Sequence, residues 1–562
     1  MNKVTKKEKN KTSHRPLFYI LISCVVIVIG LFIMSQKEGM DFDEIGTFGL
    51  ANNTFQLDIK DFNESEVFTE YGGEELLLKY TAVKEGEEFN VGNVFFNQKM
   101  DTHPPLYYLI VNFICSIRKG TFSMWYGLII NLFFMVILFW EMRYLFNLVI
   151  EDELISTILS LLAFFTYGFV NEIVFIRMYV MLSSISMAFV ILIINTINSY
   201  EVVGANANIV GASNASPLLK NKLRLVLLFF ILCVLGILTQ YHFMILAFYF
   251  SLVLGIFLIS KKEFKLLACF VLAGVLAIGV SILIFPGMIN HMFGETSLHA
   301  LNGNQFQSTS RKFYEMIMTI QRSFFGVGIW PYFVILILAL ILIIVKRRIN
   351  INSIRNAIVD NKWFFIFLLC CILYFNIITI ASKYSFARYL YNIYPLILVC
   401  IIAAPYLLFK NIMPSFKYLS LALLLLLVIT SRINNNPFSL NIGNNLFYEY
   451  LNKNRDIKVL GLYRSVDRKT RRDTQDSSLW KLPRPLYVFR NMKSIFFSDL
   501  SKNDNLMYFR EEKIAENEAL FVVIYTVEDD NEILGGLMRS NGFSQVSKVF
   551  DNTYYHMYLI SK

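Results

Sequence analysis

Three carboxylates, Asp41, Asp43 and Glu44, follow directly on the first long apolar run of the sequence, in a stretch that opens at Gly39 as GMDFDEIGTFGL. An acidic pair there is either a solvated helix terminus or a group set out to meet a polar reactant at the edge of a bilayer. The same hydrophilic stretch closes on His103-Pro104-Pro105-Leu106-Tyr107-Tyr108. The two prolines suit the first turn of a new helix and fix its backbone, and His103 offers a donor or an acceptor at the interface. Arg177 and Tyr179 stand in FIRMYVML within an apolar run. An arginine there is costly unless it snorkels to the surface or has a partner. Lys383, Arg388 and Tyr389 gather in SKYSFARYLYNIYPLILV. Aromatic anchoring at a membrane interface accounts for the tyrosines but not for two cations, which suit a lipid phosphate. His242, in LTQYHFMIL, either touches a substrate or ends a helix.

The elements that must position these groups are membrane helices. The chain of 562 residues is 56% hydrophobic, only 17% charged, and carries 52 Phe, a composition foreign to a soluble domain of this size. Apolar runs of about 18 residues recur between Leu17 and Thr430, each long enough to cross about 30 Å of hydrocarbon as a helix. The first run has no small-residue cleavage site and is read as a retained anchor rather than a signal peptide. Lys3, Lys6, Lys7, Lys9, Lys11 and Arg15 precede it against Glu8 alone, which places residues 1–16 in the cytoplasm and the acidic pair outside. Cationic loops at Lys261–Lys265 and from Lys346 to Lys362 fix the other cytoplasmic ends. The expectation is an α-helical polytopic membrane protein of 11 to 13 spans over 17–431, including an outer loop at 35–103. A small α/β domain over 432–562 should also lie outside.

The 35–103 loop carries fifteen Asp and Glu against five Lys. It reads as short amphipathic helices broken by Gly72, Gly73 and Gly86, able to lie on the outer membrane surface. The stretch from Ser199 to Lys222, rich in Gly, Asn and Ser, reads as a disordered linker. All seven cysteines fall in apolar segments, so no disulfide framework or thiol metal set is expected. The formal charge of +10 reports topology and contact with anionic lipid, not nucleic acid. In the C-terminal domain, DRKTRRD reads as a solvated loop or as a contact for phosphate headgroups.

The D-E pair after the first span, THPPLYYL opening the next element, RMY in a later helix and R-Y near a late helix start together resemble the GT-C membrane glycosyltransferases. The resemblance is to the branch of protein O-mannosyltransferases and aminoarabinose transferases, and it covers residues 17–410. It implies a sugar carried on a polyprenyl phosphate and an acceptor hydroxyl approaching from outside. A hydroxyl needs a general base at neutral pH, and Asp43 fits that role, with Glu44 orienting the acceptor or supporting Asp43. Arg177, Arg388 and Lys383 would stabilise the leaving phosphate. His103, Tyr179, His242 and Tyr389 complete the expected substrate contacts. A single displacement inverts the anomeric centre. No obligatory metal or other cofactor is expected, because no ligand spacing supports one. His291, Glu295, His299 and Arg311 are candidate lid or acceptor contacts in a long outer loop. The setting implied is a bacterial plasma membrane, and the acceptor a cell-wall polymer, a glycolipid or a protein. The rival is a multi-span transporter or lipid flippase. Against it, charges cluster at outer helix ends and the spans show no inverted pairing.

Overall fold

The computed structural model describes residues 15–54, 70–207, 215–293, 308–346, 361–382, 384–409, 417–433, 435–441, 444–463, 482, 485–500, 512–525, 530–551 and 555–562. DRKTRRD, Lys383, Glu295 and His299 lie outside them. Two compact units emerge, one holding Met1–Lys37, Asp101–Tyr107 and Gly127–Leu440, the other Glu38–Met100, Tyr108–Tyr126 and Asn441–Lys562. The expected boundary at 432 is thus drawn differently. The acidic loop groups with the C-terminal segment rather than with the spans.

Among the described residues, eight helices are long and apolar enough to cross a membrane, and nine if the bent pair Glu153–Ala163 and Tyr167–Val174 is one span. Three further apolar helices, Leu106–Ile117, Tyr391–Leu407 and Tyr418–Arg432, are shorter. Together these make twelve apolar elements among the described residues, within the 11 to 13 spans expected, but not all have the length of a crossing. The supposed linker after Ser199 is largely helical, since one helix runs through Ala207 and the next begins at Ala215.

In the helical unit, Tyr179–Ala207 is central. Of its apolar window 83% is buried, against 22% for the first span, which leaves most of its surface for lipid. It packs on Ala215–Thr239 and Phe243–Ser260, with Phe189 in edge contact with Phe243 at 5.5 Å. The apolar stretch that leads into it from Glu153 is not one continuous helix. Glu153–Ala163 and Tyr167–Val174 meet at 67°, and residues 175–178 are not helical before Tyr179 resumes. Carbonyls freed in an apolar interior need partners. Asn131 supplies them, its Nδ2 donating to Ile173 O at 2.9 Å and Phe175 O at 2.8 Å. Tyr107 in turn donates to Asn131 Oδ1 at 3.3 Å.

A second irregularity follows Thr309–Ile320. Gln321–Phe325 forms a π-turn that ends at Gly326 with φ +52°. A Cβ at Gly326 would lie 2.1 Å from Thr430 O, so both its conformation and its neighbour require glycine. The run holding Arg388 and Tyr389 opens with 3-10 turns at Ala387–Tyr389 and Tyr391–Ile393 before the helix Tyr394–Phe409.

The other unit is built on a five-stranded mixed sheet of order β2-β1-β3-β5-β4, with β1 Lys458–Tyr463, β2 Ile495–Asp499, β3 Ala519–Ile524, β4 Gln545–Asp551 and β5 His556–Ser561. β1 runs parallel to both β2 and β3, and β5 antiparallel to β3 and β4. The continuous apolar runs of β1 and β3 suit strands covered on both faces. Leu460, Val522, Ile560 and the helix residues Ile533 and Leu537 form the core. The edge at β2 is covered. Tyr71 pairs with Ile495 through backbone bonds of 2.9 and 2.8 Å, so the acidic loop blunts an open strand. Gly73 starts the helix Gly73–Thr81 rather than breaking one.

Candidate functional site

The stretch before Pro104 makes a short polar chain within the helical unit. Asp101 Oδ2 lies 2.7 Å from His103 Nδ1, and His103 Nε2 lies 3.1 Å from Arg177 Nη2. A guanidinium nitrogen only donates, so Nε2 accepts and Nδ1 carries the proton that is given to Asp101. Pro104 and Pro105, both buried, hold His103 at the head of Leu106–Ile117. Arg177 is 4% exposed and sits in the break before Tyr179, so it does not snorkel: it has a partner. Burial works to raise the Asp101 carboxyl, but the neighbouring His103 with its hydrogen bond and the Arg177 charge outweigh it and hold the group down at about 2.

His242 stands between the helices that end at Thr239 and begin at Phe243. Burial lowers it to about 4, helped by His103 and Arg388, so the ring is neutral at neutral pH. Its Nδ1 has no hydrogen-bond partner among the described residues. The ring meets Tyr389 edge-on at 5.2 Å, and the Arg388 guanidinium lies 4.2 Å from the Phe386 ring centre. Five expected contacts, His103, Arg177, His242, Arg388 and Tyr389, therefore fall in one region of the helical unit. Tyr179 is buried and stacks on Phe175 at 5.9 Å, which makes it a wall of that region.

Beside it opens a cavity of about 490 Å³ lined by Arg322, Arg388, Asn171, Ser323 and the aromatic rings of Tyr167 and Phe386, among others. Two arginines over aromatic walls can take an anion whose remainder is apolar. Buried Glu172 backs this wall, accepting from Ser183, which also donates to Tyr391 O at 3.0 Å. His291 bonds Tyr241 at 2.9 Å and Arg311 pairs with Glu315 at 2.8 Å.

The acidic pair belongs to the other unit. Asp41 caps the helix Phe42–Asn52, accepting from the Asp43 N–H at 3.0 Å, while Glu44 Oε2 accepts from the Asp41 N–H at 2.6 Å. Glu44 is fully buried and completes a capping box, a sufficient structural reason for a carboxylate there. Asp43 is half-buried in the first turn. Among the described residues no group of three or more His, Cys, Asp and Glu could hold a metal ion.

No family model matches the chain, and no curated protein does. A solved structure is similar in fold. ArnT from Cupriavidus metallidurans, bound to undecaprenyl phosphate, aligns over 97% of this chain and 98% of its own at 9% identity, with a TM-score of 0.47.

Two further residues belong to the region, Asp101 and Arg322. Asp101 was legible, since its spacing to His103 in DTHPP places both on one turn. Arg322 was not, because a π-turn leaves no periodic signature and the run from Thr309 reads as outer loop.

Proposed function

We propose that the chain is an integral-membrane glycosyltransferase of the GT-C type, moving a sugar from a polyprenyl-phosphate carrier to a hydroxyl acceptor at the extracytoplasmic face. The observation that carries the reading is the Asp101–His103–Arg177 chain, which links THPP to RMY, two of the motifs that suggested the resemblance. Arg177 and Arg388, with Arg322 as a further cation at the cavity, are assigned to the lipid phosphate. His242 and Tyr389 are assigned to the sugar. Lys383 is retained as a phosphate contact on its motif alone.

Asp43 is assigned the general base. It takes the acceptor hydroxyl proton as oxygen attacks the anomeric carbon, and the bond from that carbon to the phosphate oxygen breaks with its electron pair onto the lipid phosphate. Glu44 supports Asp43 by fixing the helix start. The N-terminus is assigned to the cytoplasm and the C-terminal segment to the outside.

The test uses purified protein in lipid vesicles with a radiolabelled polyprenyl-phosphate hexose and candidate acceptors. Transfer abolished in Asp43→Asn, with donor binding kept, supports the assignment. Transfer undiminished in that variant removes Asp43 as base, and lipid scrambling without any glycoside formed favours the flippase instead.

A further inference from the structure

The sheet-bearing unit has a groove of its own. Two clefts of about 540 and 410 Å³ adjoin through Glu74, Arg490 and Asn491, and each has the size of a small-molecule site. The first is lined by Arg455, Arg490 and Lys493 with Asn452 and Asn491. The second is lined by Phe122, Trp125 and Tyr487 with Thr121 and Ser123. One end is cationic and amide-rich, the other aromatic and hydroxyl-lined.

Arg490 is held in place by its neighbours rather than by a counter-charge. The Arg490 guanidinium lies 4.1 Å from the Tyr487 ring centre and 5.0 Å from that of Tyr448, and its Nη1 donates to Tyr487 O at 2.6 Å. Among the described residues it has no carboxylate partner, and the Arg455 side chain has neither an ion pair nor a hydrogen bond. Lys493 does pair with Asp456 at 2.5 Å, both exposed. Asn491 bonds Asn452 at 2.7 Å, which ties the two sides of the cationic cleft together. The wall is closely packed where Gly73 docks, since a Cβ there would lie 1.9 Å from Phe489 O. Tyr487 meets Phe122 edge-on at 6.3 Å and gives the other cleft an aromatic floor.

We propose that this groove binds an anionic glycan, and that the acceptor of the transfer reaction is of that class. A phosphate monoester or diester sits among Arg455, Arg490 and Lys493, and a neutral sugar ring lies on the Tyr487, Phe122 and Trp125 platform. Glu74, the one acid common to both clefts, accepts from a sugar hydroxyl. The assignment as acceptor rests on the transferase reading; the binding itself does not.

Wild-type protein in neutral-lipid nanodiscs, without donor, is titrated at about 0.15 M salt with three probes: a mannopentaose bearing one phosphate monoester, its dephosphorylated form, and inorganic phosphate. The phosphorylated glycan should bind about tenfold tighter than the neutral one. Arg455→Ala and Arg490→Gln should each erase most of that preference, Arg455→Lys should keep part of it, and Trp125→Leu should weaken both glycans. Equal affinity for the two glycans, or inorganic phosphate binding as tightly as the phosphoglycan, overturns the proposal. Because donor turnover is measured separately, glycan binding without any transferase activity would refute the function and spare the groove. Donor turnover without glycan preference would do the reverse.

Discussion

Arg177 shows how one side chain can be both costly and fixed. A guanidinium inside an apolar unit keeps its charge, and the ring of His103 accepts from it on one side and meets Asp101 on the other. Replacing Arg177 by Lys keeps the charge but loses the planar donor set, so donor-lipid affinity should fall about tenfold or more, read by donor titration. Asp101→Asn removes only the group behind His103 and should cost less. If it costs as much, the chain does not work as a positioning relay. His242 makes a prediction in pH. Its folded value of about 4 lies below the ordinary histidine value of about 6.5, so between those values the unfolded chain binds the extra proton. Stability should therefore be complete above about pH 7 and decline as pH falls from about 6.5 to 4. Melting curves of His242→Gln should lack that slope. Asp101, held near 2, contributes above about pH 4 and loses its share only as pH falls toward 2, so the two windows separate.

At the scale of elements, the candidate residues Arg177, Arg322 and Arg388 stand on irregular pieces. The break at 175–178, the π-turn Gln321–Phe325 and the 3-10 turns from Ala387 each place an arginine or an aromatic ring that a continuous helix would turn away. Such breaks persist because their backbone groups are answered. Asn131→Leu would strand the two carbonyls it serves, and should destabilise the protein by about 2–4 kcal/mol, read as a lowered melting midpoint in detergent. Gly326→Ala should cost at least about 1 kcal/mol, since the backbone is left-handed there and Thr430 leaves no room for a methyl. A neutral outcome for Gly326→Ala would mean that the turn relaxes without loss.

At the scale of the whole molecule, residues far apart in sequence make one unit around the sheet. Glu70 accepts from Ser494 and pairs with Lys458 at 3.1 Å, and Tyr71 extends the edge of β2. Ending the chain after Leu440 should therefore expose residues 70–100 to proteases, read by limited proteolysis and mass mapping. Protection equal to that of the full chain would show that the acidic segment folds without the sheet. Within the α/β domain expected over 432–562, the runs that form β1 and β3 and the helix Asp530–Asn541 are legible in the sequence, whereas β2 is not. Its IFFSD is too short, and too much like a buried helix turn, to be told apart by pattern.

Composition alone determined the membrane class, because 52 Phe and recurrent apolar runs have no other solvent than lipid. The motif residues His103, Arg177 and Arg388 were likewise visible as polar groups with no reason to be where they stand. What only the tertiary structure decided is which of them meet. Hydrogen bonds between Asp101, His103 and Arg177 join residues 74 apart, and no local periodicity encodes such a contact. Nor could pattern tell that Glu44 is fully buried in a capping box, or that the acidic loop joins the C-terminal sheet, since both follow from long-range packing.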